Sequence, residues 1–400
     1  MNRILLDHGS STPVLPEVFE AMRPYFLERF GNPASFHQFG LVARDAIEQA
    51  REEVASLIHA ASSEEIIFTS GGTEALNLAV KGVAYAGQRR GKHLVASVIE
   101  QPAVLQSLEF LEKQGFRVTR VGVDRAGRIA PEDIKDAMTD ETLLVCVHLA
   151  NYEIGTVQVV REMGVLAGDR GVPLLIDATT GGGWMPVDAR EWGVCLIALA
   201  PHRFYGPKGV GVLYRNRRVS LMGISHGGSQ EGGRRAGTEN VPAIVGAGKA
   251  AVLALRDLPE RQRHTARLQL KLWDGLKSRV PDIRLNGPEP GQARLVTNLN
   301  LSARGAEGEA QVLRCDLNGI ALASGSSCMS RAVQISPVLA ALGLEHALAR
   351  CSVLLTLGHE NTDAEVELFL DRYPQVVAHL RGLSPEWRGL DVNPPQTAHS

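Results

Sequence analysis

This chain lacks an excess of either charge: 42 Lys and Arg stand against 44 Asp and Glu, a formal net charge of −2. No global field draws it to nucleic acid or an anionic membrane, so any partner must be read from local features. Cysteine is scarce as well. Cys146, Cys195, Cys315, Cys328 and Cys351 are odd in number and contain no C-x-x-C pair, which argues against a disulfide framework and against a zinc knuckle. Four of them sit in apolar surroundings and read as small buried hydrophobes. Cys328, in Gly325-Ser326-Ser327-Cys328-Met329-Ser330, does not. Long apolar runs are absent too, so no bilayer span is expected. The opening stretch carries Asp7 and His8 where a secretory signal would be apolar, and the expected location is the cytoplasm. No internal repeat is visible.

What remains is an ordinary globular composition, 44% hydrophobic and 22% charged over 400 residues, enough for more than one packed core. Ala43, Ala46, Ile47, Ala50, Val54, Leu57 and Ile58 recur at helical spacing and predict a long amphipathic helix. Short, nearly continuous apolar runs follow, at Ile66 to Thr69, Leu94 to Ser97, Arg117 to Val121, Leu143 to His148, Pro173 to Ile176 and Val194 to Ala198, separated by amphipathic stretches. That alternation predicts a doubly wound, mostly parallel sheet covered on both faces. Ligands of such sheets gather beyond the C-terminal strand ends. Helices are expected from Ala243 to Leu258 and from Arg261 to Val280, and an α+β segment from Leu295 to about Arg381. The expected organisation is a large α/β domain over 15–258, a smaller α+β domain from 1–14 and 259–383, and a loose Pro-containing tail over 384–400.

Two motifs carry chemistry before any family is considered. Ser70-Gly71-Gly72-Thr73-Glu74 follows a strand and opens a helix. Its freed amides and the helix dipole make an anion site, although a tight turn wants the same glycines for steric reasons alone. Asp177, in Leu175-Ile176-Asp177-Ala178-Thr179-Thr180, ends an apolar strand, where an uncompensated carboxylate is costly and a cap or a cationic partner is expected.

A third stretch, Ala200-Pro201-His202-Arg203-Phe204-Tyr205-Gly206-Pro207-Lys208-Gly209-Val210-Gly211, together with Gly31-Asn32-Pro33, Glu153-Ile154-Gly155-Thr156, His226-Gly227-Gly228 and Arg235-Ala236-Gly237-Thr238-Glu239-Asn240-Val241-Pro242, resembles the signature set of the cysteine desulfurases. These are class V aminotransferases that depend on pyridoxal phosphate (PLP). The likeness runs over roughly residues 3–380 and implies the PLP-transferase type I fold. It also implies roles: the residue matching Thr73 holds the cofactor phosphate, the one matching Asp177 pairs with the ring nitrogen, His202 is the retained signature histidine, and Thr238 belongs to a segment that reaches the neighbouring subunit's site. Cys328 matches the nucleophilic cysteine that becomes a persulfide.

Elsewhere the pattern breaks. Arg203 stands where the family has the lysine that holds PLP as an imine, Gln101 where a histidine stacks on the ring, Tyr152 where an asparagine touches the ring hydroxyl, Thr180 for a glutamine, Ala200 for a serine, and Leu354 for the arginine that grips the substrate carboxylate. Guanidinium stays protonated and presents only donors, so it forms no imine. Lys208 belongs to a turn that the family keeps alongside its own lysine, and is not expected to substitute. An internal ion pair between Asp177 and Arg203 is an alternative use of the space.

The leading expectation is a desulfurase-like protein repurposed to bind a different, anionic small molecule, with no covalent PLP and with Cys328 or Tyr152 as its reactive groups. Two alternatives stand beside it: a sulfur relay or pseudo-subunit partner of an active desulfurase, acting through Cys328, and a cysteine desulfurase with non-covalent PLP. Retention of Arg235 to Thr238 implies a homodimer.

Overall fold

The computed structural model describes residues 3–324, 335–384 and 387. Its centre is a sheet of seven strands in the spatial order Ile66–Thr69, Gly211–Arg215, Leu196–Leu199, Leu174–Asp177, Thr142–His148, His93–Ser97, Arg117–Val121. All neighbouring pairs are parallel except the two made by Gly211–Arg215. Every residue of Thr142–His148 is buried, as a strand with both faces covered must be. One face packs Val95, Val145, Ile176 and Ile197 toward the helices Gln38–Leu57 and Val160–Asp169. The other packs Leu94, Leu144, Leu175 and Leu196 toward Gly72–Gly87 and Pro102–Glu112. This is the doubly wound arrangement that the apolar runs predict.

The antiparallel strand Gly211–Arg215 is the element those runs omit, because it is joined directly to the Gly206 to Gly209 turn. Its first residue has to be glycine: a Cβ on Gly211 would stand 2.2 Å from the carbonyl carbon of Gly71. Strand and turn are thus locked together by a missing side chain. Gly211→Ala is expected to cost about 1–3 kcal/mol as an overpacked contact, measured by urea melts. Gly122→Ala, whose new Cβ meets nothing within 4 Å, is expected to stay within about 0.5 kcal/mol of the parent. Equal stability of the two variants would show that the Gly71 turn yields freely.

A second apolar cluster joins Ile4 and Leu6 to Leu272, Leu301, Val353, Phe369 and Tyr373. Its four-stranded antiparallel sheet runs Ala323–Ser324, Ser352–Thr356, Asn298–Ala303, Ile283–Asn286. The first strand of the chain, Ile4–Leu5, pairs in parallel with Ile320–Ala321. The helix Asp363–Leu383 covers this cluster and starts with a capping box, Thr362 and Glu365 each bonding the other's backbone N–H.

The two helices expected on either side of residue 259 form one. Val241–Arg279 is continuous over 39 residues with Pro259 in its interior. Proline removes one helical hydrogen bond and clashes with the preceding turn, at about 3 kcal/mol. Packing offsets this at both ends, with Ile244, Ala247 and Ala251 in the first cluster and Leu268, Leu272 and Leu276 in the second. Among the described residues no helix is long and apolar enough to cross a membrane.

Candidate ligand site at the end of the main sheet

The C-terminal ends of the parallel strands bring most of the sequence-selected residues to one edge. Asp177 closes its strand at 5% exposure. One carboxylate oxygen accepts the Thr179 backbone N–H at 2.9 Å, the two-residue reach typical of an aspartate at a turn. The other accepts from the amide nitrogen of Gln101, which also donates to Thr179 Oγ1 at 3.1 Å. Gln101 is placed for this by the residue after it. It has the extended backbone (φ −66°, ψ 157°) expected before a proline, and Pro102 then opens the helix Pro102–Glu112.

Arg203 ends the single 3₁₀ turn Pro201–Arg203 that follows Leu196–Leu199. Its Nη1 donates to Thr180 Oγ1 at 2.7 Å, and its carbonyl accepts from Trp184 Nε1 at 2.9 Å. The Asp177 carboxylate is therefore satisfied by Gln101 and Thr179, not by an ion pair with Arg203. The guanidinium reaches the threonine three residues further on. Beside it, burial pushes His202 down to about 4, with the Arg203 and Lys208 cations acting in the same direction. Thr12 anchors this turn by donating both its N–H and its hydroxyl to the His202 carbonyl, at 2.8 and 3.0 Å. Lys208 is exposed and donates to Ser11 Oγ at 3.3 Å.

A cavity of about 20 Å³ lies against Arg203, walled by His8, Tyr152, Thr180, Trp184 and Thr356, the space of one water molecule. Larger clefts of about 440, 560 and 700 Å³ open elsewhere. The convergence of polar side chains, and not cleft size, marks this edge as the candidate site. Leu354, half-buried, lies in the second sheet opposite Asn300 and Ala323. Cys328 lies outside the described residues. Of the other cysteines, Cys146, Cys315 and Cys351 are buried, with burial pushing Cys146 well above the ordinary thiol range and Cys315 to about 12. Cys195 is only half-buried, less enclosed than its apolar neighbours in sequence imply.

At the Ser70–Glu74 turn, Thr73 is exposed at the start of the helix Gly72–Gly87. Glu74, part of the motif but given no role by it, turns back to accept the Ser70 N–H at 2.6 Å and the Arg235 Nε–H at 3.1 Å. Burial alone would raise this carboxyl, yet the hydrogen bonds from Ser70 and Arg235 hold it below its ordinary value. Arg235 is thus tied to the 70–74 turn of its own chain, while Thr238, three residues on, is exposed.

Two buried polar networks escaped the sequence reading because their members are far apart in the chain. Glu100 accepts from Ser97 Oγ, and from His148 Nδ1 at 2.7 Å. Gln158 uses its amide nitrogen toward Gly127 O and His148 Nε2 at 2.8 and 3.0 Å, while its oxygen accepts Ile129 N–H. Because that nitrogen donates, His148 Nε2 accepts and the ring hydrogen sits on Nδ1, facing Glu100. Glu153 is the second case: Ser336 Oγ donates to it at 2.6 Å and caps the helix Pro337–Ala341.

The aminotransferase class-V family matches residues 4–369. A protein named cysteine desulfurase IscS from Clostridium botulinum is 42% identical over 394 residues, 98% of this chain and 99% of that one. Its namesake from Dictyoglomus turgidum is 42% identical over 388 residues, 96% of this chain and 98% of that one. Among solved structures, a NifS-like protein superposes with TM-score 0.88 at 31% identity, covering 94% of this chain and all of that one. SspA in complex with cysteine gives TM-score 0.77 at 32% identity, over 90% of this chain and all of that one. The doubly wound sheet with its second α+β unit is accordingly the PLP-dependent type I fold, and the chain belongs to the aminotransferase class-V family, within its cysteine desulfurase family.

Proposed function

We propose that this chain is a desulfurase-type protein of cysteine-derived sulfur transfer that holds pyridoxal phosphate reversibly, without a covalent anchor at residue 203. The observation that carries the reading is 42% identity along 98% of the chain to proteins named cysteine desulfurase. It favours the non-covalent desulfurase over the repurposed pocket that the substitutions alone put first. That the related SspA is known in complex with cysteine supports a small thiol amino acid as the substrate class.

The residues present fit a phosphorylated ring at its two ends. The start of a 16-residue helix, with Thr73 on it, offers backbone N–H groups to a phosphate. Asp177 is a buried strand-end carboxylate suited to a protonated ring nitrogen. Thr238 would complete the phosphate side from the neighbouring subunit of a homodimer, and His202, Thr180 and Tyr152 would line the ring. When bound, pyridoxal phosphate supplies an electron sink for bond breaking at an amino acid's α-carbon. This chain's part would be to orient the ring, keep His202 neutral, and offer Cys328 as sulfur acceptor, from which a sulfur-carrier protein or a desulfurase partner would take it.

A second reading, an anionic ligand other than the cofactor, is favoured by one observation: Arg203, a permanent cation, faces the small cavity beside Thr180. Absorbance and dialysis separate the two. Added pyridoxal phosphate is expected to co-elute with the protein on a short column, leave on long dialysis, and support alanine release from L-cysteine above the level of free cofactor. No retention and no alanine above that level would leave the anionic-ligand reading standing alone.

A further inference from the structure

The geometry points to Gln101 as the residue that sets what binds at Asp177: its amide occupies the carboxylate oxygen that a ligand's ring N–H must use, so ligand entry is a displacement. The inference rests on the reading just given, and names how that site is regulated.

Both Asp177 oxygens are engaged, one by the Thr179 backbone and one by the Gln101 side chain. The backbone donor is fixed, since its N–H belongs to the turn that ends the strand. The side-chain donor is not fixed, because Gln101 is only half-buried and can rotate away. Its main chain, in contrast, is held between Pro102 and Glu100, whose carboxylate is bound by Ser97 and His148. Displacement therefore needs a rotamer change and no backbone movement.

The chemistry of the competitor follows from the chemistry of the amide. A carboxamide donor is neutral, whereas a protonated ring nitrogen is cationic and makes the stronger, charge-assisted bond to the same oxygen. A ligand bearing such a nitrogen wins the contest, while one with a neutral N–H at that position only exchanges one neutral donor for another and gains nothing. Gln101 thus selects for N-protonated heterocycles and lowers the affinity of those it admits. A hydrogen bond to a charged group that must first be broken weakens binding by roughly 10- to 100-fold.

Deoxypyridoxine phosphate is the probe, because it keeps the ring nitrogen and the phosphate but lacks the aldehyde, so no imine enters the readout. Calorimetric titrations of wild type, Gln101→Ala and Gln101→Met would be compared, the methionine variant keeping side-chain volume without a donor. Each is expected to bind at least roughly tenfold tighter than wild type, with unchanged affinity for inorganic phosphate. The gain is expected to vanish when Asp177→Asn is added. Equal or weaker binding in both variants, or a gain that survives Asp177→Asn, overturns the role of Gln101 alone. Failure of every variant to bind the probe overturns the proposed function and this inference with it.

Discussion

Borohydride treatment in the presence of pyridoxal phosphate is expected to leave residue 203 unmodified in the wild-type protein and to fix a pyridoxyl group there in Arg203→Lys. The wild-type half follows from the guanidinium, which does not surrender its proton and so has no nucleophilic lone pair. The variant half follows from the field at that turn. Burial and the neighbouring cations hold His202 near 4, so a lysine placed beside it experiences desolvation and the Lys208 charge, both of which favour a neutral, reactive amine. Peptide mapping is expected to move from no detectable adduct to most of the chains. Alanine formation is not expected to rise in step, because Leu354 offers no bidentate grip on a carboxylate. An adduct on Lys208 in the wild-type protein would overturn the account, as would desulfurase turnover fully restored by the single substitution.

Glu153→Gln is expected to stabilise the protein above pH 8 and to flatten its stability between about pH 4.5 and 8. Glu153 is 1% exposed, and burial pushes its carboxyl up to about 8, the Ser336 hydrogen bond opposing this only in part. The folded chain therefore holds a proton that the unfolded chain releases near 4.5. Stability is greatest below that value, declines as pH rises toward 8, and levels off beyond it. At 1.36 kcal/mol per pH unit across that window, the ionised form costs at most about 5 kcal/mol. Glutamine keeps the shape, accepts the Ser336 hydrogen with its carbonyl oxygen, and does not ionise. Urea melts at pH 5, 7 and 9 measure the effect. A variant less stable than wild type at pH 9 would mean that the acid form is not the one the fold selects.

Much of the fold is legible because a two-sided parallel sheet needs strands that are apolar at every position, and such runs stand out in one dimension. Gly211–Arg215 is less visible, since its role depends on Gly71, a residue 140 positions away that it touches only because neither carries a side chain. Pro259 reads as a stop signal from its neighbours alone and is overruled by packing at both ends of a helix. In the site, the positions of Asp177, Thr180 and Arg203 follow from motif likeness, but side-chain direction does not. Nothing in the order of residues tells Arg203 to choose Thr180, or Gln101 to take the carboxylate. Glu153 and Ser336 meet across 183 positions, and only the folded chain states that they are neighbours.

The pairing of Ile4–Leu5 with Ile320–Ala321 has a consequence for how this molecule is made. At ribosomal speeds of about 5–20 residues per second, tens of seconds pass between the emergence of the first strand and that of its partner. Throughout that interval Ile4 and Leu5 have no strand to pair with, while the seven-stranded sheet, complete at Arg215, is free to form. The first strand thus waits unpaired beside a sheet already free to form, so nascent chains arrested before residue 320 should expose it to proteases and chaperones.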